Sequence, residues 1–267
     1  MDIEDIRSRF HSLHEQGTFL MPNPFDLGSA RLLVDLGFPA LATTSGGFAA
    51  TRGRLDMTVD RDQLVDHVAS LRTVTDLPIN ADAEQCFPDD EGGVASTVRL
   101  LAQAGASGCS IEDWDPHRGV IETVDHAVEQ VAKAAAVATE EGLLLTARAE
   151  NHLRGHDDLD DTISRLTAYR DAGADVVYAP GLTDLSAIAR VVDEVGGPVN
   201  VLLLAGGPSR DELAAIGVRR LSVGSNLARI AYGAMYEAAQ DLLGSGVISS
   251  GTFLDRDVAT RAFSGVA

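Results

Sequence analysis

Short apolar runs alternate with amphipathic stretches along nearly the whole chain. Phe19-Leu-Met21 leads through Pro22-Asn-Pro-Phe-Asp26 into a helical pattern over 27–36. A second run over 39–44 ends at Ser45-Gly-Gly47, and Asp60 is placed to cap a helix through Leu71. The third, 77–80, runs into Ala81-Asp-Ala-Glu84 before a helix over about 93–104. Five further pairs follow, with strands at 108–111, 142–147, 174–178, 198–204 and 218–223. Their helices are expected over about 125–140, 159–172, 185–195, 210–216 and 226–243. The strands read as short and largely unalternated, the pattern of a sheet buried on both faces. Gly37, Gly105 and Gly173 sit where a helix stops and the next strand starts. Eight strand-plus-helix units predict an α/β fold, a (β/α)8 TIM barrel rather than a doubly wound sheet. No linker or composition shift divides the chain, so 1–267 is read as one domain. The segment 244–267 is left over as a C-terminal helical extension, and its amphipathic end, 255–263, is suited to packing on a partner subunit.

Charge narrows the function. The 267 residues carry 21 basic and 40 acidic side chains, a formal net charge of −19. Such a surface repels nucleic-acid phosphates and anionic lipids, so neither is expected as a partner. Two cysteines, Cys86 and Cys109, cannot staple a chain of this size, which fits a reducing compartment. The opening residues are charged, without the apolar core of a signal peptide. No apolar run approaches the roughly 20 residues of a membrane span. A cytoplasmic protein is the expectation.

In such a barrel, chemistry belongs at the C-terminal ends of the strands. The third strand ends in Asp82 and Glu84, the fourth in Glu112 and Asp113, the fifth in Arg148 and Glu150. Carboxylates on neighbouring strands repel one another unless a positive charge lies between them. Oxygen donors without clustered His or Cys point to Mg2+, with Mn2+ as the substitute. The competing reading is that some of these acids, Asp113 and Glu84 first, only cap the following helices. Arg148 is suited to bidentate capture of a carboxylate or phosphonate, or else to a buried ion pair with the same acids. Ser45-Gly46-Gly47 offers a hydroxyl and open backbone N–H groups for a carboxylate or developing enolate oxygen.

Thr43-Thr-Ser-Gly46, Gly53-Arg-Leu-Asp56, Asn80-Ala-Asp-Ala-Glu84, Ser110-Ile-Glu-Asp113 and Ala147-Arg-Ala-Glu150 together resemble the isocitrate lyase/phosphoenolpyruvate mutase superfamily. The resemblance runs from about residue 20 to 226. It implies a Mg2+-dependent barrel that makes or breaks a bond beside a 2-oxo-acid carbon through an enolate. By position, Asp82, Glu84 and Glu112 would hold the metal, partly through waters. Ser45, Gly46 and Gly47 would hold the carboxylate and enolate oxygen, and Arg148 the second anionic group. Asp56 would be the nucleophile of a phosphoryl shift or an acid/base group of a lyase. The resemblance also implies a dimer or tetramer with C-terminal helices exchanged between barrels.

This chain departs from the superfamily at the lid. The usual Asp-x-Asp and Gly-Tyr-Gly turn are replaced by Asp82-Ala-Glu84 and Gln85-Cys-Phe-Pro-Asp-Asp-Glu-Gly92. The lyases' Lys-Lys-Cys-Gly-His lid and the mutases' Asn and Ser after the fourth strand have no counterpart; that loop is Trp114-Asp-Pro-His-Arg-Gly-Val120. Cys86 is read as a bystander thiol rather than the lyase acid, and Cys109 as core. His117 with Arg118 is either a carboxylate contact or a solvated loop. Asn151 is a candidate substrate contact, with His152, Arg154 and His156 near the mouth. The glycines at 205–207 and 224–226 are read as structural, and Trp114 as a shield or a packing residue.

The leading expectation is a Mg2+-dependent carbon–carbon lyase or hydrolase acting on a small 2-oxo or 2-hydroxy dicarboxylate. The first alternative is a phosphorus–carbon enzyme, a phosphonomutase or phosphonopyruvate hydrolase. The second is a barrel that binds an oxo-acid without turning it over.

Overall fold

The computed structural model describes residues 1–249 and 251–264. Eight strands form one parallel sheet: β1 (Phe19–Leu20), β2 (Leu41–Ala42), β3 (Ile79–Asp82), β4 (Gly108–Glu112), β7 (Leu144–Arg148), β8 (Val176–Tyr178), β9 (Val199–Leu202) and β10 (Arg220–Ser222). Two short strands, β5 (Trp114–Asp115) and β6 (Val120–Ile121), pair as an antiparallel hairpin in the loop after β4. The order β1-β10-β9-β8-β7-β4-β3-β2 is that of a (β/α)8 barrel, curled so that β1 and β2 approach. The Ala42 N–H donates to Pro22 O at 3.0 Å across that junction. Asn23 staples it: its amide donates to Thr43 O at 2.8 Å, and its oxygen accepts from the N–H groups of Val223 and Gly224, each at 2.9 Å.

The helices begin where the capping residues stand. Asp60 accepts from Gln63 N–H at 2.9 Å to open α4 (Arg61–Arg72). Asp26 and Ser29 form a reciprocal cap on α2 (Leu27–Asp35), and Asp158 and Asp184 cap α7 (Leu159–Asp171) and α8 (Leu185–Val195). The other helices between strands are α5 (Gly93–Gln103), α6 (Val124–Glu141) and α9 (Arg210–Ala215), and α10 (Asn226–Ser245) follows β10. Gly37, Gly105 and Gly173 adopt φ between 82° and 105°, a turn conformation that suits glycine.

Three features were not foreseen. An N-terminal helix, α1 (Ile3–Leu13), closes the floor of the barrel. Its Phe10 packs with Phe19, Met21, Ala40 and Leu144, and Arg7 donates to the carbonyls of Ala102, Ala106 and Glu141. The second is α3 (Ser45–Thr51), which replaces the expected loop after β2. The third corrects the reading of the strands as unalternated. Odd positions such as Cys109, Ile111, Leu145, Ala147, Val177 and Leu221 pack outward in the main apolar core. Even positions, Asn80, Ser110, Thr146, Asn200 and Ser222 among them, line a cavity inside the barrel. Both faces are buried, but the inner one is polar.

Within this chain the tail helix α11 (Arg256–Ser264) lies on α2, where Arg261 grips Asp35 through two bonds of 2.6 and 2.7 Å. Residues 250 and 265–267 of the predicted extension fall outside the described residues. No helix among the described residues is long and apolar enough to cross a membrane.

His14 lies at the floor, edge-on to both Phe10 and Phe19. Its Nδ1 is 2.8 Å from Phe10 O and its Nε2 3.4 Å from the Arg220 guanidinium, a pairing that suits neutral imidazole with the proton on Nδ1. Burial, reinforced by Arg220, lowers its pKa to about 3, and burial lowers that of His67, stacked on Phe48, to about 4. Both remain neutral when the unfolded chain takes up protons below about pH 6.5. Stability is therefore lost as pH falls from about 6.5 towards those values, by about 2 kcal/mol per histidine at pH 5. Urea unfolding at pH 7 and pH 5 checks this. A His14→Gln variant, which keeps a donor and an acceptor but no titrating proton, is expected to lose about 2 kcal/mol less than the parent over that interval.

Candidate active site

Parallel register brings the chemistry-bearing residues to one rim. Asp82 pairs in register with Ser110, and Glu112 with Arg148, so β3, β4 and β7 end side by side. Arg148 lies among four carboxylate contacts. Its Nη1 is 2.8 Å from Asp82 Oδ1, its Nη2 3.0 Å from Glu112 Oε2 and 2.8 Å from Glu150 Oε1, and its Nε 3.0 Å from Glu150 Oε1. The guanidinium stands 5.4 Å from the Tyr178 ring centroid. Of its five N–H donors, the second on Nη1 is left for a ligand. Burial alone would weaken this cation's hold on its proton, but Glu112, Glu150 and Asp82 push its pKa well up. The ion-pair reading of Arg148 describes the structure.

The cluster holds more negative charge than Arg148 balances. Glu112 is buried, its Oε1 has no hydrogen-bond partner, and burial raises its pKa against the pull of Arg148. Glu84 is buried at φ +52°, with its pKa raised to about 8 by burial first and then by Asp82 and Asp56. Cys86 and Phe87 also have positive φ, at 59° and 48°. The turn where the resemblance calls for glycines is thus made by residues that resist that conformation. Arg154 adds a second cation, 3.5 Å from Glu150 Oε2 and 4.0 Å from Glu112 Oε1, resting on the Trp114 ring at 4.1 Å.

Opposite the carboxylates stands the start of α3. Thr44 caps it, accepting the Gly47 N–H at 3.2 Å, so that donor is spent within the helix. The Ser45 N–H donates to Asp82 Oδ2 at 3.0 Å. The Gly46 N–H has no partner among the described residues. A Cβ on Gly46 would lie 2.8 Å from Ser225 Oγ and 3.0 Å from the Asp56 carboxylate, so only glycine lets Asp56 close over this turn. A Cβ on Gly47 would collide with Thr44 Cγ2 at 2.5 Å, which makes Gly47 a packing residue rather than an oxyanion donor. Ser45, Asp56, Asp82 and Arg148 line one cavity of about 320 Å3 inside the barrel mouth.

A phosphoenolpyruvate phosphomutase family profile matches residues 10–243. The chain belongs to that family. Within the family, it is 47% identical to a Burkholderia cenocepacia J2315 protein of known structure named a "putative lyase/mutase", with a TM-score of 0.93 over 99% of this chain and 98% of that one. It is 32% identical to a protein of the same organism named a "putative phosphonomutase", with a TM-score of 0.83 over 92% and 100% of the two chains. It is also 29% identical to the oxaloacetate decarboxylase of Paraburkholderia xenovorans (strain LB400), over 89% of this chain and 81% of that enzyme.

The structure corrects several assignments around the rim. Asp113 caps no helix. It is a buried hub that accepts from Glu150 N–H at 2.9 Å, Tyr169 Oη at 2.6 Å and Arg165 at 3.1 Å. Asn151 is buried and donates to Asp161 of α7 at 2.5 Å; it is not among the cavity-lining residues, so the expected substrate contact is not made in this conformation. Cys86 is fully buried with its thiol toward Ser110 O, and burial raises its pKa well up, as befits a bystander. His117 and Arg118 line a separate cavity that Arg148 also borders, and Arg118 pairs with Asp115 and Glu122 across the β5–β6 hairpin. The sequence reading placed Glu150 among the strand-end acids without assigning it to the site, and gave no role to Arg220 and Asn23. Polar residues at every second strand position were the available signal.

Among the described residues, no three carboxylate, imidazole or thiol groups gather closely enough to hold a metal directly. The chemistry of Asp82, Glu84 and Glu112 nonetheless fits a hard divalent ion held partly through water. All are oxygen donors, Glu112 Oε1 is unpartnered, and surplus negative charge helps raise Glu84.

Arg148→Met would leave three buried or half-buried carboxylates without their shared cation. Metal-free protein is expected to lose about 3–5 kcal/mol of stability at pH 7.5, with part regained in Arg148→Met/Glu150→Gln. An unchanged urea midpoint in the single variant would show that the ion pairs hold nothing together.

Proposed function

We propose that this chain is a Mg2+-dependent enzyme that breaks a carbon–carbon bond in a small 2-oxo or 2-hydroxy dicarboxylate through an enolate. Mn2+ is the alternative ion. The observation that carries the reading is the contact of the Arg148–Asp82 pair with the α3 N-terminus on the lining of one polar cavity. The relationship to an oxaloacetate decarboxylase supports it.

Asp82, Glu84 and Glu112 would hold the ion, which when bound supplies stabilisation of negative charge developing beside the substrate carboxylate. Ser45 and the free Gly46 N–H orient the carboxylate and enolate oxygen, from a helix terminus whose dipole favours negative charge. The remaining Nη1 donor of Arg148 takes a second oxygen, while Asp82, Glu112 and Glu150 keep the guanidinium from turning. Asp56, closed over Gly46 and exposed to solvent, is placed to take a proton from a substrate hydroxyl or return one to the enolate carbon.

A second reading, phosphorus–carbon chemistry, is favoured by the same Asp56 carboxylate beside the cavity and by the relationship to the phosphonomutase-named protein. There Asp56 would attack phosphorus while the phosphorus–carbon bond breaks and its electron pair passes to the pyruvate enolate. A new phosphorus NMR resonance on incubation with phosphonopyruvate selects this reading; an unchanged spectrum removes it. Binding without turnover across an oxo-acid panel would leave a carrier of such acids.

The small anionic substrate is the proposed partner, together with further copies of this chain in a dimer or tetramer. Ile230, Met235, Tyr236 and Leu243 of α10 and Phe253 beyond it are exposed, more apolar surface than a lone barrel needs. The net charge of −19 supports a cytoplasmic enzyme without nucleic-acid or membrane partners.

Calorimetric titration with oxalate, a mimic of the pyruvate enolate, tests the main reading. Binding is expected with Mg2+ and not without it, and Asp82→Ala is expected to weaken it at least tenfold. Absence of binding in both conditions would overturn the reading.

A further inference from the structure

Arg220 is the bulkiest of the fully buried side chains, and its hydrogen bonds all go to neutral groups. Nε donates to Asn200 Oδ1 at 2.9 Å, Nη2 to Thr146 Oγ1 at 2.8 Å, and Nη1 lies 3.4 Å from His14 Nε2. Among the described residues no carboxylate forms an ion pair with it. Two of its five N–H hydrogens, one on each Nη, remain unassigned. Burial lowers its pKa only to about 9, so it is a cation at neutral pH. Holding such a charge out of water costs several kcal/mol unless an anion answers it.

The cavity that opens at Ser45, Asp82 and Arg148 also reaches Arg220. The wall between them is made of Asn80, Ser110, Thr146, Tyr178, Asn200 and Ser222, all able to hydrogen-bond. Thr146, which accepts from Arg220, precedes Arg148 by two residues on β7. The residue that Arg220 grips therefore lies one pleat repeat, roughly 6–7 Å along β7, below the residue that carries the upper cation. The upper one is shared by three carboxylates; the lower one has none.

We propose that Arg220 is a second anion-binding residue, which takes the far carboxylate of a dicarboxylate whose 2-oxo-acid end is held at the mouth. This rests on the proposed function, since the mouth must accept the 2-oxo-acid end. That depth along β7 suits two carboxylates separated by two or three carbons. Arg220 thus selects dicarboxylates over monocarboxylates of the same length, a discrimination that Arg148, already occupied, does not supply. A purely structural Arg220 would steady the barrel and be indifferent to the far end of a ligand.

Calorimetry with Mg2+ present, using 2-oxoglutarate, 2-oxovalerate and oxalate as probes, decides between these roles. The first two are five-carbon 2-oxo acids that differ in the terminal carboxylate. Wild-type protein is expected to bind 2-oxoglutarate about tenfold or more tightly than 2-oxovalerate. Arg220→Met is expected to erase that ratio while leaving oxalate binding intact. A wild-type ratio near one, or a ratio that survives in Arg220→Met, overturns the proposal. If Arg220→Met does not fold, 15N NMR of the arginine Nε–H groups in wild-type protein, assigned with Arg220→Lys, makes the same decision. The Arg220 resonance must move with 2-oxoglutarate and stay with 2-oxovalerate; any other pattern overturns the assignment. Loss of oxalate binding in wild type marks failure of the parent reading, and a surviving Arg220-dependent preference would then leave this site standing on its own.

Discussion

A guanidinium and three carboxylates at the rim of the barrel depend on one another. Arg148 is nearly withdrawn from water, which is tolerable because Asp82, Glu112 and Glu150 surround it. Those acids come from the ends of neighbouring strands, and their proximity is tolerable because Arg148 lies among them. The arrangement depends on register. Glu112 opposes Arg148 and Asp82 opposes Ser110 in the parallel ladders, and a slip of one residue would turn the charged side chains outward into the apolar helix layer.

The same alternation explains how a buried sheet can host a reaction. Outward positions supply the apolar layer under the helices, while inward positions leave a chamber walled by amides, hydroxyls and the arginines Arg148 and Arg220, with Arg229 of α10 also on its lining. Its floor is closed by Phe10 of α1 and by His14 at the end of that helix, and its mouth is framed by the Thr44-capped start of α3. Strain is concentrated near the rim, where Glu84, Cys86 and Phe87 hold positive φ and Glu112 keeps an unpartnered oxygen. Excess charge and strain of this kind set local chemistry against stability.

Much of this was legible in the residues. The eight strands and the starts of their helices follow from apolar runs and from caps such as Asp60 and Asp184, because these signals act within a few residues of chain. Asp82, Glu112 and Arg148 were recognisable because strand ends of a parallel barrel converge. Asn151 was misplaced by the same logic: it follows β7 closely, but Asp161 of α7 takes its amide. Gly47 looked like an oxyanion donor until Thr44 claimed its N–H. The role of Glu150 was hidden because proximity to Arg148 in sequence does not say which way either side chain turns.

The sequence by itself determined the order and type of the elements, the acidic surface and the family, since each rests on local pattern or on motifs read in line. Only the tertiary structure decided which acids share Arg148, that the strands are polar on one face, and that Arg220 reaches the same chamber without a counter-ion among the described residues. Those outcomes depend on distances between residues far apart in the chain, such as the 74 positions between Thr146 and Arg220. Burial, which turns a charge from a solvated ornament into a costly and usable one, exists only once the barrel has closed around it.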